Sequence, residues 1–182
     1  MTLAPPLGRT LFAAAPLLPR GGRGVVMGCD PGLRATGYAA LRAEAGRPVV
    51  VEAGVLATTG RDLGARLLQL HRDAEALLRE VRPEVLVLED VFAHARFPRT
   101  AVVLGHARGV LCAAAAAAGV CTVALAPAVV KYAVTGSGRA SKAQVQTALR
   151  RLLRLGALRN AHAADALALA YAGLLRLGAI RG

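Results

Sequence analysis

The stretch VVMGCDPGLRATGYAAL (residues 25–41) contains two apolar runs joined by a short turn. The first run ends on a single acid, Asp30, and Pro31 and Gly32 follow at once. Apolar runs separated by Pro and Gly are typical of neighbouring strands. The stretch therefore predicts a strand that ends on a carboxylate, a tight turn and a second strand. Taken alone, Asp30 could simply begin the turn or could serve a chemical role beside it.

The rest of the chain alternates strand and helix patterns, and predicts the order β-β-β-α-β-α-β-α-α. We expect an α/β fold with a mixed five-stranded sheet, whose first three strands form an antiparallel meander, and with helices on both faces. The strands are predicted at 25–29, 38–42, 49–57, 85–88 and within 119–127, and the helices at 62–81, 100–118, after the loop TGSGRA (135–140) and at 161–177.

The 182 residues suffice for one domain with a sizeable core, which we place at 25–182. Residues 1–24 are rich in Pro and Gly and are predicted to be a disordered N-terminal extension, although they weakly resemble a signal peptide. Three cysteines are too few and odd in number for a disulfide framework, which favours a reducing, cytoplasmic location. No run reaches the length of a membrane span without a charge or a helix breaker, so no membrane partner is expected.

The formal net charge is +12 and the isoelectric point is near 11.3. Such a charge favours a polyanionic partner, and nucleic acid is the leading candidate. The alternative is an ordinary surface on which arginine is over-represented.

Acids are scarce, and three of the eleven lie at predicted element ends. Asp30 ends the first strand, Glu89 ends the strand after the long helix, and Asp165 lies three residues after His162 near the start of the last helix. If the two strands are neighbours, Asp30 and Glu89 emerge side by side. Clustered carboxylates repel one another unless a cation lies between them, which suggests divalent metal ions and phosphodiester hydrolysis. Each acid taken singly could instead be a helix cap or a surface ion-pair partner.

Five motifs in order, GCDPGLRATGY, VLVLEDVF, LGHARGVL, SKAQVQ and NAHAADALALA, resemble the RuvC family of Holliday-junction resolvases over about residues 25–178. The resemblance implies a ribonuclease H-like fold, a homodimer, four-way junction DNA as substrate, two Mg²⁺ or Mn²⁺ per active site, and a branch-migration motor of the RuvA and RuvB type as partner. It implies that the catalytic and metal-binding residues are Asp30, Glu89, His162 and Asp165.

The same resemblance implies DNA contacts by Phe92, Lys131 and Lys142. Arg139 joins them because the glycine-containing loop before a helix N-terminus suits a phosphate. A solvated charged loop is the alternative for this basic group, and packing onto the core is the alternative for Phe92. Gly105 and Gly109, four residues apart, could allow either close packing within the domain or a dimer contact.

The chain departs from the family pattern at two positions. Many members have Asp where this chain has His162, and an imidazole ligand favours transition metals, so we expect activity with Mn²⁺ at least equal to that with Mg²⁺. His162 could also carry a proton or only cap its helix. Asp90 is an added acid, which strand alternation should direct away from the metals.

Three rival functions stay open at this level. A sugar-kinase or actin-like ATPase has a similar Asp-x-Gly hairpin, but that architecture needs two such turns and this chain has one. Another ribonuclease H-like nuclease could act on a different branched DNA. A catalytically silent junction-binding protein is the third possibility, although the intact set of acids argues against it.

Overall fold

A computed structural model describes residues 24–90, 98–156 and 160–180 of the chain. These residues form five strands and five helices. In chain order the elements are β1 (Val25–Asp30), β2 (Ala35–Glu44), β3 (Arg47–Ala57), α1 (Leu63–Val81), β4 (Val85–Glu89), α2 (Pro98–Ala117), β5 (Cys121–Leu125), α3 (Pro127–Thr135), α4 (Lys142–Leu152) and α5 (Ala161–Arg176).

The five strands form one mixed sheet in the order β3-β2-β1-β4-β5. β1, β2 and β3 pair antiparallel as a meander, whereas β4 runs parallel to both β1 and β5. Buried clusters lie on both faces, one beneath α1 and α2 and the other beneath α3, α4 and α5. The predicted mixed sheet with an initial meander and helices on both faces is therefore confirmed.

One helix, α3, is missing from the predicted order. The sequence-based interpretation used Pro127 only to end the preceding strand, but Pro127 is the first residue of a nine-residue helix. Proline suits that position because its fixed φ matches the helix and the first N–H of a helix has no intrahelical partner. The correction matters because α3 carries Lys131.

α2 is the longest helix among the described residues. Its segment Arg99–Ala117 is long and apolar enough to cross a membrane by length and composition, and 22% of its most apolar window is buried. Core helices of soluble proteins pass the same test. Here Ala107, Leu111 and Ala114 of α2 belong to the core cluster shared with α1.

Two predictions fall on parts of the chain outside the described residues. They are the disordered extension, most of which is residues 1–23, and the DNA contact of Phe92. Both stay predictions.

Candidate active site

The ends of β1 and β4 bring two carboxylates together. In the parallel register Cys29 pairs with Leu88, so the following residues, Asp30 and Glu89, end neighbouring strands at the same edge of the sheet. Strand alternation directs both side chains to the face covered by α5. Asp30, Glu89 and Asp165 line one cavity of about 280 Å³, so the expected convergence of these three acids is confirmed.

Asp165 supplies the third carboxylate from α5, which lies unusually close to the sheet. A Cβ at Gly28 of β1 would lie 2.3 Å from the carbonyl oxygen of Ala166, and one at Gly37 of β2 would lie 2.1 Å from that of His162. Only glycine permits this approach, because any side chain would overlap the helix backbone. The two strand glycines therefore determine how near the start of α5 comes to Asp30.

The start of α5 is itself held by a side-chain cap. The Asn160 side chain accepts hydrogen bonds from the backbone N–H groups of His162, at 2.9 Å, and Ala163, at 3.3 Å. The predicted cap at Asn160 is confirmed. It fixes where the helix begins, and so sets the positions of His162 and Asp165 relative to Asp30.

Two buried threonines hold the turn that follows Asp30. The Thr36 hydroxyl donates to the carbonyl oxygen of Gly32 at 2.8 Å, and the Thr58 hydroxyl donates to that of Leu33. The Arg66 guanidinium on α1 donates in turn to the Thr58 carbonyl oxygen. These hydrogen bonds connect the turn to β2, to the end of β3 and to α1. They therefore restrict the position of Asp30, which immediately precedes the turn.

His162 makes direct contact with Asp30. Its ring nitrogen Nδ1 lies 3.0 Å from Asp30 Oδ2. Since an ionised carboxylate only accepts, the ring donates this bond through a protonated Nδ1, which leaves Nε2 for another partner. His162 is not among the residues that line the cavity, so it lies beside the cluster rather than within it.

The chain contains only two lysines against 21 arginines, and both line this cavity. Lys131 comes from α3, and Lys142 is the first residue of α4. The Lys142 ammonium lies 2.7 Å from Asp165 Oδ2 and forms an ion pair with it. Arg139, grouped with the lysines in the sequence interpretation, lies on the exposed loop between α3 and α4 and does not line the cavity.

The charges in the cavity perturb two of the acids. Burial raises the pKa of Asp30; the His162 hydrogen bond lowers it, and the negative charge of Asp165 raises it further. Burial also raises the pKa of Glu89, and the charges of Asp30 and Asp165 add to that effect, while Lys131 and Lys142 act in the opposite direction. Both pKa values are raised chiefly because burial disfavours the ionised carboxylates, and the neighbouring acids add to this effect.

The donor chemistry of this cavity fits a divalent cation. Carboxylate oxygens are the ligands preferred by hard cations, and a cation between them would stabilise the ionised carboxylates of Asp30 and Glu89 against both burial and their mutual repulsion. Within the described ranges, no three His, Cys, Asp or Glu side chains already stand in the arrangement of a metal site. In this arrangement His162 contacts Asp30 and Lys142 contacts Asp165.

Asp90 lies apart from the cluster. Its Oδ1 is 3.9 Å from the Arg108 guanidinium of α2, the helix on the opposite face of the sheet. The expectation that Asp90 faces away from the metals agrees with this contact.

Sequence reasoning missed the residues that position the acids. Gly28, Gly37, Thr36 and Thr58 carry no chemistry of their own, and Pro127 was taken for a terminator. The available signal was local: Gly28 interrupts an apolar strand, and such glycines mark sites of close backbone approach. Nothing local identifies α5 as the element that approaches.

Comparison with known proteins gives a consistent result. A family model described as crossover junction endodeoxyribonuclease RuvC matches residues 26–172. A protein of that name from Rhodopirellula baltica is 38% identical over 169 residues, which cover 92% of this chain and 93% of that protein. One from Anaeromyxobacter sp. is 44% identical over 153 residues, covering 84% and 81%.

Solved structures agree on the fold. Thermus thermophilus RuvC in complex with Holliday junction substrate superposes with a TM-score of 0.76 at 32% identity, covering 82% of this chain and 92% of that one. The yeast mitochondrial Holliday junction resolvase Ydc2 superposes with a TM-score of 0.65 at 15% identity, covering 88% and 81%, which speaks for the fold alone.

The sheet, its helices and the acidic cavity define a nuclease of the ribonuclease H-like class. More narrowly, the chain belongs to the RuvC family of crossover junction endodeoxyribonucleases. Nucleases of this family depend in general on divalent metal ions, in agreement with the donor chemistry of the cavity.

Proposed function

We propose that this protein resolves four-way DNA junctions by hydrolysing one phosphodiester bond on each of two opposed strands. The observation that carries the proposal is the convergence of Asp30, Glu89 and Asp165 on one cavity beside the only two lysines of the chain. The match to a RuvC structure described with a Holliday junction substrate supports this choice of DNA.

We propose that Asp30, Glu89 and Asp165 hold two Mg²⁺ or Mn²⁺ ions. When bound, such ions supply Lewis acidity at the phosphodiester and lower the pKa of the attacking water. A metal ion that binds Asp165 Oδ2 would displace the Lys142 ammonium, which would then be free to bind a DNA phosphate. Lys131 and Lys142 would orient the strand by charge, as compact cations on flexible stems.

The proposed role of His162 follows from its contact with Asp30. The Nδ1 bond to Asp30 orients the ring, and Nε2 is left to ligate a metal or to accept a proton. We therefore expect cleavage with Mn²⁺ to be at least as fast as with Mg²⁺. His162→Asp should shift the preference toward Mg²⁺. A strict Mg²⁺ preference of the unmodified chain, measured at equal metal concentrations, would contradict this role.

We propose that the protein acts as a homodimer through α2. Val102, Gly105, Gly109 and Ala113 are exposed and follow one another at helical spacing. A Cβ at Gly105 or Gly109 would meet no described atom within 4 Å, which argues against close packing within the domain as the reason for these glycines. Two sites related by a two-fold axis suit two opposed strands.

The dimer proposal is tested by light scattering at micromolar concentration. Ala113→Glu should convert a dimer into a monomer, whereas Ala76→Glu, an equivalent change at an exposed position of α1, should not. A monomeric unmodified chain would contradict the proposal.

We further propose a cytoplasmic location and cooperation with a branch-migration motor of the RuvA and RuvB type. The three unbridged cysteines support the location. The proposal that such a motor is a partner rests on family membership. Co-purification of this protein with the motor on junction DNA would test it.

The deciding experiment is cleavage of a synthetic mobile four-way junction, with a flap of the same sequence as competitor. We expect paired nicks in the junction with Mg²⁺ or Mn²⁺ and none with Asp30→Asn. Preferred cleavage of the flap would favour a nuclease for another branched DNA. Binding without cleavage under every metal tested would favour a silent junction-binding protein.

A further inference from the structure

The positive charge of the chain is concentrated in one part of the sequence. Ten of the 23 lysines and arginines, and none of the eleven acids, fall between residues 91 and 164. In the rest of the chain, basic and acidic residues are nearly equal in number. The concentrated segment includes α3, the loop after it and α4, and so continues beyond the two lysines of the acidic cavity.

A second cavity, of about 580 Å³, lies between α3 and α4. α4 separates the two cavities: Lys142 and Val145 line the acidic one, whereas Gln144, Thr147 and Arg151 line the second. We call the second cavity the α4 groove and define it by those last three residues. It is also lined by Thr135 and Ser137 at the end of α3.

Gln144, Thr147 and Arg151 form one stripe along α4, at spacings of three and four residues. All three are exposed. The Gln144 side-chain oxygen already accepts the Ser141 backbone N–H at 2.8 Å, which leaves its NH₂ group as a donor. The stripe therefore presents an amide donor, a hydroxyl and a guanidinium.

The acid-free segment lacks any carboxylate that could compete for these donors. No ion pair involving Arg151 is formed within the described ranges. Hydrogen-bond donors with a net positive charge and no neighbouring acid match the phosphate oxygens of a nucleic-acid backbone.

The length of α4 relates the groove to the cleavage site. Lys142 and Arg151 are nine positions apart in α4, which is about 13 Å along the helix axis and half a turn around it. In B-DNA that distance corresponds to about four base pairs. This axial distance is a minimum, because the two side chains lie on opposite sides of α4, so a duplex arm that extends from the acidic cavity past α4 meets Arg151 at least about four pairs from Lys142.

We propose that the α4 groove binds the sugar-phosphate backbone of a duplex arm at least about four base pairs from the cleaved bond. This inference rests on the proposed function, since it assigns a second contact for the same DNA. The contact carries no base specificity. Its role is to fix which phosphate enters the acidic cavity.

The test measures binding of a labelled four-way junction between 50 and 200 mM salt, in EDTA so that the DNA stays intact. Arg151→Gln should weaken binding about 5- to 10-fold and reduce the log–log salt slope by about 0.9. The matched control is Arg72→Gln, which removes the same charge from an exposed position on α1, on the opposite face. It should change neither quantity. Thermal unfolding of both variants checks that the fold is intact.

A second arm locates the contact. Single uncharged methylphosphonates are placed at successive pairs from about four to about ten pairs from the cleavage site, and each junction is measured with both the unmodified chain and Arg151→Gln. At the contacted phosphate the unmodified chain should lose affinity and the two proteins should bind equally. Equal affinities of Arg151→Gln and Arg72→Gln for the unmodified junction would overturn this inference alone. Failure of the unmodified chain to bind any junction would overturn the proposed function and this inference with it.

Discussion

The two faces of the sheet are built in different ways. On the face of α1 and α2, leucines such as Leu70, Leu77 and Leu111 fill the space between helix and sheet. On the other face, Gly28 and Gly37 let the backbone of α5 approach the strands directly. Both arrangements bury apolar surface, but the second also fixes the distance between His162, Asp165 and Asp30. Both faces bury apolar side chains and stabilise the fold, but only the α5 face positions the acids, so substitutions beneath α1 and α2 should change stability without changing the active-site geometry.

The largest expected effect comes from neutralising an acid of the α5 face. Glu89→Gln should reduce junction cleavage more than about 100-fold. It should also stabilise the fold at neutral pH. The pKa of Glu89 is raised in the folded chain, so its ionised form opposes folding above that pKa, and the penalty disappears as the pH falls below the ordinary value of about 4.3. Cleavage assays and thermal unfolding at pH 7.5 and pH 3.5 measure both effects.

Glu80→Gln, at an exposed position of α1, is the matched control for charge removal and should leave cleavage unchanged. A Glu89→Gln protein that is less stable than the unmodified chain at neutral pH would show that the acids of the cavity are not in mutual repulsion.

Gly37→Ala should break the geometry of the α5 face. The added Cβ would overlap the His162 carbonyl group, so we expect a loss of stability on the order of 3 kcal/mol. Because the start of α5 must move, cleavage by the remaining folded protein should fall as well. Gly64→Ala near the start of α1 is the control: its Cβ has only an ordinary contact at 3.5 Å, and it should stabilise the chain by about 0.5 kcal/mol. Equal stability of the two variants would contradict the close-approach explanation.

Leu70→Ala should weaken the opposite face without touching the chemistry. Leu70 is fully buried, and truncation of such a side chain typically costs about 2–5 kcal/mol. Below its lowered melting temperature the variant should cleave junctions at the normal rate per folded molecule. Denaturant unfolding gives the first quantity and active-site titration the second. A loss of cleavage in the folded variant would mean that the two faces are coupled.

The smallest expected effect is a shift of the acid limb of the pH–rate profile. Asp30 and Glu89 act as carboxylates, and both pKa values are raised chiefly by burial, so cleavage should decline on acidification at a higher pH than ordinary carboxyls would give. Lys142 lowers the pKa of both acids, whereas Lys131 acts on Glu89 alone. Lys142→Gln should therefore move the limb further toward neutral pH than Lys131→Gln does. Both variants should also cleave more slowly at every pH. The quantity to compare is therefore the pH at which the acid limb falls to half of each variant's own maximum rate. Identical profiles would contradict this charge arrangement.

Much of the fold was predictable because its signals are local. The run at 38–42 before the polar turn predicted β2, which extends over Ala35–Glu44, and the leucine spacing predicted α1. The spacing of Ser141 and Gln144 predicted the capping box that begins α4. The extra helix α3 was missed because its short apolar sequence does not distinguish helix from strand by period. The acids were found because they end apolar strands in a chain with few acids. The glycines that set the spacing of the acids were missed because the atoms that exclude a side chain at Gly28 and Gly37 belong to another element, α5.

The sequence alone determined all five strands and four of the five helices among the described residues, the surplus of positive charge, and the three acids placed at or near element ends. Tertiary structure alone decided that β4 lies beside β1, that α5 lies against Gly28 and Gly37, and that His162 contacts Asp30, which is 132 positions away. It also decided that Lys142, rather than Arg139, reaches the acids. The physical reason is that periodicity and capping act over a few neighbouring residues. The pairing of distant elements depends instead on how the whole chain buries its apolar surface.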